Sequence, residues 1–565
     1  MHKVFSILLT TFLLCTQCKN ENGSKSTKKV FHYNQLNPIT TLDPAFARNQ
    51  AIMWAVDHLY NGLVYLDDSL NIIPCLAKRW EISKDGLDYT FHLNNAVYFH
   101  DNACFPNGKG RKMVAADVVY SFNRIIDTTV NSSGSWIFKD RVRPQNPFEA
   151  KNDTTFIFHL AKPFRPMLNI LTMQYCCIVP KEAIDFYKKD FRKNPVGTGA
   201  FVFKKWLENQ GLFLLKNNNY WEKDENGVQL PYLDGVRVSF MPDRKTAYLE
   251  MMKGKIDYMV GIESSVVNEL LTQDGELQPK QFGKIQLIKT PYLNSEYLGI
   301  NMDFSKDKAT AANPINPLSI KKVRQALNYG FDRELMLRTL RNSMGQPATA
   351  GFAPRGLPSF IDFSTQKDSP FIDSKNGVTV SGARQTGYNY NPAKARQLLA
   401  EAGFPNGKGL PTIKLTLNKD YLDLCTFIAR QWEELGIKTN LDVMETATMR
   451  EMMTKGTTPF FRGSWIADYP DAESYYTFFY SKNPAPPNYT RFKNLEFDRI
   501  YEAALSENND TKRYDLYHQL DKILIEEAPI IFLFYDESSR FARVGIENLS
   551  RNAMNLLPLK RVRKK

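Results

Sequence analysis

Residues 412–443 read TIKLTLNKDYLDLCTFIARQWEELGIKTNLDV, and their periodicity decides the fold class. Thr412 to Leu417 alternates apolar and polar residues, the pattern of a half-buried strand. Leu422 to Leu435 changes to helical spacing, and Gly436 to Val443 alternates again. Strand, helix and strand in that order form a β-α-β unit, which implies a parallel sheet in the second half of the chain and an α/β fold. Just upstream, Asn391-Pro392-Ala393-Lys394 to Ala402-Gly403 predicts a helix with an Asn cap, Pro in its first turn and Gly at its end.

Working outward, Trp80 to Leu93 predicts two alternating strands around the turn Asp85-Gly86. Ala115 to Ile126 and Arg244 to Met252 predict helices, and Ile320 to Leu340 predicts a helical stretch that breaks at Tyr329-Gly330. Gly197-Thr198-Gly199 lacks the third glycine and the Lys-Ser/Thr of a phosphate loop, so it reads as a turn feeding the strand through Phe203. Gly351 to Tyr390, rich in Pro, Gly, Ser and Asp, reads as a surface loop or insertion. No internal repeat is visible.

The chain has 565 residues, 43% of them hydrophobic and 24% charged, which supports two or three cores and excludes a mainly disordered polymer. After residue 18 no apolar run approaches the ~20 residues of a spanning helix. The net charge of +13 is spread along the chain rather than striped as a nucleic-acid footprint would be. Its one dense basic run, Lys560 to Lys565, reads as a solvated tail.

The N-terminus, Met1-His2-Lys3 followed by the apolar stretch Val4 to Leu14, has the form of a secretory signal peptide. It ends at Cys15-Thr16-Gln17-Cys18, and residues 19–29 are a polar tether. This end resembles that of a bacterial lipoprotein, with Cys18 as the acylated residue, although Cys15 departs from the usual leucine of the box. The remaining Cys75, Cys104, Cys176, Cys177 and Cys425 are odd in number and imply no disulfide framework.

Chemistry-bearing motifs are few. None of His2, His32, His58, His92, His100, His159 and His518 stands in a metal-ligand spacing, so no metal and no cofactor is expected. His92 and His100 read as satisfied surface residues. No nucleophile elbow or P-loop is present.

Several segments, in order from about Thr41 to Asn548, together resemble one family. They include Thr41-Leu42-Asp43-Pro44-Ala45, Leu59-Tyr60-Asn61-Gly62-Leu63-Val64-Tyr65, Cys75-Leu76-Ala77-Lys78-Arg79-Trp80-Glu81 and Ala116-Asp117-Val118-Val119-Tyr120-Ser121-Phe122. Further along come Val196-Gly197-Thr198-Gly199-Ala200-Phe201, Val323-Arg324-Gln325-Ala326-Leu327-Asn328-Tyr329-Gly330-Phe331-Asp332-Arg333 and Trp465-Ile466-Ala467-Asp468-Tyr469-Pro470-Asp471. The chain resembles the family-5 extracellular solute-binding proteins of ABC importers, the oligopeptide- and dipeptide-binding type.

The resemblance implies a bilobed, class II periplasmic-binding-protein-like fold with an extra small domain and an interlobe hinge. Residues 30–66, 195–293 and 530–565 would form one lobe, 67–194 the extra domain and 294–529 the other lobe. It implies a protein without catalysis in the periplasm, lipid-anchored to a bacterial membrane, acting as a monomer with no nucleic-acid partner. It would capture a short peptide and deliver it to an ABC permease. By the same likeness Asp468 would pair with the peptide α-amino group, Arg462 would neutralise a carboxylate, and Trp465 and Tyr469 would wall the cleft. Arg48, Asn49 and Gln50 would face the ligand from the opposite lobe. Ala472 stands where Pro often follows the second Asp, which leaves the ligand open: a chelate or sugar receptor on the same fold is the alternative, and an exported hydrolase the more distant one.

Overall fold

Two strands are too long for either half of the molecule alone. Ile285–Ile300 has 16 residues and Ile530–Arg543 has 14, and they pair antiparallel along most of their lengths. Their ladder loses register between Pro291 and Ser295 and again between Glu296 and Tyr297. Before the first break Ile285–Pro291 lies against Glu537–Arg543, and residues 540–542 of the latter also pair with Tyr258–Val260. Beyond it, Asn294–Ile300 pairs on its other edge with Phe460–Ile466. A register shift interrupts the ladder and bends the strands, so the irregular stretch 291–297 joins two differently built ends of one sheet.

In the computed structural model the described residues are 28–262, 264–304, 316–361, 371–372, 379–380 and 387–565. The signal-peptide segment, Cys18 and tether residues 19–27 lie outside them, as do 362–370, 373–378 and 381–386 of the expected insertion. The start of that insertion is not loose: Phe352, Ala353 and Leu357 are buried, and Ser295 Oγ and Tyr535 OH donate to the carbonyls of Phe352 and Gly351 at 2.6 and 2.8 Å.

The main sheet runs in the order Thr439–Met444, Ile413–Asn418, Phe460–Ile466, Ile285–Ile300, Ile530–Arg543, Tyr258–Val260, Val30–Gln35, Gly235–Phe240, Gly211–Lys216, Phe201–Leu207, with Gln346–Pro347 added beside Ile530–Arg543. The β-α-β unit is present: Ile413–Asn418 and Thr439–Met444 pair in parallel, joined by the helix Leu422–Glu433. Parallel pairing in this half stops at Phe460–Ile466, because the two long strands that follow are antiparallel to their neighbours. The sheet is covered on both faces here. Adjacent residues Tyr297 and Leu298, like Phe461 and Phe460, enter different cores, as side-chain alternation along a strand requires.

A separate antiparallel sheet, Ala77–Ile82, Asp88–Leu93, Thr155–His159 and Phe148–Asn152, forms the small unit. Its first two strands are the predicted Asp-Gly hairpin, and the helix Ala115–Ile126 packs on it through Phe122, whose ring lies 5.5 Å from those of Phe148 and Phe156. Local signals set other boundaries. Asn391 Oδ1 accepts from the Lys394 N–H at 2.9 Å and starts Pro392–Glu401, while Lys321–Tyr329 and Arg333–Arg341 are separated at the predicted break.

The turn before Phe201 is as expected, and packing explains its glycines and corrects two other expectations. Gly197 and Gly199 are required by close approach: a Cβ on either would come within 2.2 and 2.3 Å of the Leu59 carbonyl group. His100 is buried against this loop rather than at the surface, with Nε2 at 2.9 Å from the Gly199 oxygen. The basic C-terminal run is also docked on the fold rather than a free tail, although Arg561, Arg563 and Lys565 stay exposed. Lys560 pairs with Glu222 and Lys564 with Asp257 at 2.7 and 2.6 Å, and the Arg563 guanidinium lies 3.5 Å over the Tyr232 ring.

Candidate functional site

The strand Phe460–Ile466 ends in a tight turn whose polar side chains mostly point inward. Trp465 Nε1 donates to the Ser474 carbonyl at 2.6 Å, and the Asp468 N–H donates to Ser474 Oγ at 3.2 Å. Asp471 is buried and accepts from Arg513 Nη1 at 2.5 Å, Tyr517 OH at 2.8 Å and Asn169 Nδ2 at 3.1 Å. Glu473, also buried, accepts from the hydroxyls of Tyr469 and Tyr501, and burial raises its pKa. With these groups satisfied the turn is rigid.

Asp468 is the exception. Its carboxylate accepts no hydrogen bond among the described residues, and its side chain is exposed to solvent. Protein nevertheless packs closely around it. That enclosure, followed by the charge of Glu473, pushes its pKa up to about 6, while Arg141 pulls it down. Tyr175, buried in the core that includes the small unit, is within electrostatic reach of Asp468. Desolvation raises its phenol pKa, the Asp468 carboxylate raises it further and the Arg48 guanidinium lowers it, so both charges reach Tyr175 although they stand far from it in sequence. The Tyr175 ring is seated over Gly134, where a Cβ would come within 2.5 Å of it.

The other expected residues divide. Arg48 and Asn49 are exposed, but Asn49 Oδ1 accepts from the Ile52 N–H at 3.1 Å as the cap of the helix Gln50–Leu59. Trp465 is half-buried, with its ring edge-on to Phe478 at 5.1 Å. Tyr469 is buried in the core that includes the small unit. Arg462 is not brought beside Asp468. It lies on the other face of the strand from Trp465, buried in an ion pair with Glu296 and stacked 3.1 Å from the Tyr421 ring centre.

The arrangement is therefore a solvent-facing carboxylate without a hydrogen-bond partner, beside Glu473 and within electrostatic reach of Arg141, and it suits recognition of a ligand with a cationic end. The family profile of bacterial extracellular solute-binding proteins, family 5 middle, matches residues 71–487. The chain belongs to this family. The family-5 protein is 31% identical over 492 residues to heme-binding protein A of Haemophilus influenzae, covering 84% of this chain and 81% of the relative. It is 26% identical over 494 residues to the dipeptide-binding protein of Escherichia coli, covering 84% and 83%. In structure it resembles HbpA2 of Haemophilus parasuis, with a TM-score of 0.77 and 23% identity across 95% of this chain and 99% of that one. The expected fold class is thereby established.

Tyr175 and Arg141 of this family-5 protein were not legible as site residues. Arg141 is held by its donation to the Trp136 carbonyl at 2.8 Å and stacks 4.9 Å over Phe164, contacts that no local motif announces. The one signal for Tyr175 is Gly134, whose need to be glycine appears only when the ring is in place.

Proposed function

We propose that this family-5 protein captures short peptides between two lobes and hands them to an ABC permease from outside the cytoplasmic membrane, with Asp468 holding the peptide α-amino group. The observation that supports this reading is the solvent-facing Asp468 carboxylate left without a partner on an otherwise saturated turn. A carboxylate partly withdrawn from water gains most from a ligand that brings its own cation and hydrogen-bond donors. The peptide-binding name of the Escherichia coli relative agrees with it. Arg48, exposed and within electrostatic reach of Tyr175, supplies a counter-charge for the ligand, and the side-chain-tolerant remainder is read through the peptide backbone.

The lobes are 30–66 with 195–293 and 530–565, and 294–529, and 67–194 forms the extra domain; the irregular stretch 291–297 is the hinge. The protein binds and releases without catalysis, as a monomer tethered through a lipid on Cys18. Native mass spectrometry of the purified protein, followed by denaturing release, tests the ligand class. Short peptides are expected. A sugar, heme or a metal chelate would keep the fold and overturn the amine-anchor reading. The heme-binding name of the Haemophilus influenzae relative makes that second arm specific.

A further inference from the structure

Four strands of the main sheet share one end, and the tether joins the fold there: Tyr33 stands opposite Tyr258, Tyr258 opposite Ala542 and Ala542 opposite Gln286. That register brings the starts of Val30–Gln35, Tyr258–Val260 and Ile285–Ile300 and the finish of Ile530–Arg543 to one level. Lys28 and Lys29 lie just before it in sequence, and Lys564 Nζ donates to the Val30 carbonyl at 2.9 Å. From Cys18 to Lys28 the chain can reach at most ~35 Å.

Two turns at this end carry apolar side chains outward. The Lys284 N–H donates to the Gln281 carbonyl at 3.1 Å, with Phe282 at φ −58° and ψ 140° and Gly283 at φ +76° between them. This is a type II turn, whose positive φ glycine supplies, and it leaves Phe282 64% exposed at its tip. The Val544 N–H donates to the Lys284 carbonyl at 3.1 Å, so the second tip, with Val544 54% exposed, adjoins the first. Single exposed apolar residues are ordinary; two on adjoining tips make a small apolar wedge.

The wedge is rimmed by cations in excess. Of the acids at this end, Glu250 pairs with Lys253 and Lys255, Asp257 with Lys564 and Glu547 with Lys565, while Asp234 accepts the Lys29 backbone N–H. The side chains of Lys28, Lys29, Lys280 and Lys284 are exposed and make no ion pair among the described residues. The tether sequence adds Lys19 and Lys25 against Glu21.

We propose that this end of the sheet docks on the anionic surface of the membrane that holds the tether: Phe282 and Val544 enter the headgroup layer, and the four unpaired lysines meet lipid phosphates. The membrane's nearness rests on the reading of Cys18 as lipid-anchored. Apolar side chains in the interface and lysines near anionic lipid reinforce each other. The irregular stretch 291–297 lies further along the same strands, so contact here leaves it free to bend.

The test uses the chain from residue 19, without leader or lipid, because every described element begins at Val30 or later. It is sedimented with vesicles of phosphatidylcholine alone or mixed with phosphatidylglycerol. Binding to the mixed vesicles well above that to the neutral ones is expected, falling as salt is raised. Lys280→Gln with Lys284→Gln should weaken it about fivefold per lysine, and Phe282→Ser with Val544→Ser should weaken it as well. Lys139→Gln with Lys151→Gln, at exposed lysines of the small unit, should not. Equal binding to both kinds of vesicle, binding to neither, or a Lys280→Gln, Lys284→Gln protein that is folded by circular dichroism and binds as the wild type does would overturn the proposal. Acylation of Cys18 is decided separately, by the intact mass of the exported protein, so failure of the tether and failure of the docking surface are distinguishable.

Discussion

Asp468 and Asp471 stand three residues apart on one turn and have opposite fates. Asp471 is buried and meets a guanidinium and a phenol from the helix Asp510–Glu527 and an amide from Asn169; Asp468 faces solvent. The difference shows how one turn can bury one carboxylate among partners and leave another facing solvent without one. Asp471 and Glu473 fix the backbone, which lets the turn hold Asp468 in a setting that raises its pKa without giving it a partner. A carboxylate in that state is ready for a cation that arrives from outside.

The sharpest way to break the comparison is to remove each carboxylate in turn. Asp471→Ala should destabilise the fold by ~3–5 kcal/mol, because it strands the buried Arg513 charge, and a thermal melt checks this. Asp468→Ala should leave the melt at or slightly above that of the wild type at neutral pH and instead weaken peptide binding by ~3–5 kcal/mol, the scale for losing one partner of a desolvated pair. If both variants melted alike, the division of labour on the turn would be wrong.

A second expected outcome concerns pH. The Asp468 pKa is raised from 3.8 to about 6, so the fold favours the protonated form and this residue's contribution to stability falls as pH rises through that window. Peptide binding has the opposite sign. It needs the ionised form, and affinity should climb as pH approaches about 6 and then level. Asp468→Asn should lose this acid limb in a binding titration across the window. A smaller effect belongs to Asn49: Asn49→Ala removes the cap of Gln50–Leu59 and should cost about 1 kcal/mol of stability, readable as a modest drop in melting temperature.

What could be read from the sequence was what neighbours decide. The Asp85-Gly86 hairpin, the helix Ala115–Ile126 and the Asn391 cap follow from turn chemistry, periodicity and capping within a few residues, and the β-α-β unit from their order. Residues whose surroundings are assembled from distant segments were not legible. Lys560 to Lys565 has the composition of a solvated tail, yet Glu222 and Asp257 capture its lysines from some 300 positions away. Arg462 lies on the segment that supplies Asp468, but Glu296 on the neighbouring strand already neutralises it. Tyr469 shows the same limit, since only the docking of the turn against the small unit decides that its ring is in a core. The resemblance located the turn; the partners of each side chain decided which of its residues are left free to face solvent.

The most direct test of the amine anchor is calorimetric comparison of one peptide released from the purified protein with its N-acetylated form, in the wild type and in Asp468→Asn. Acetylation should abolish tight binding to the wild type and make little difference to the variant, because each change removes one side of the same ion pair. Equal affinity of the free and acetylated peptides for the wild type would contradict the assignment of Asp468.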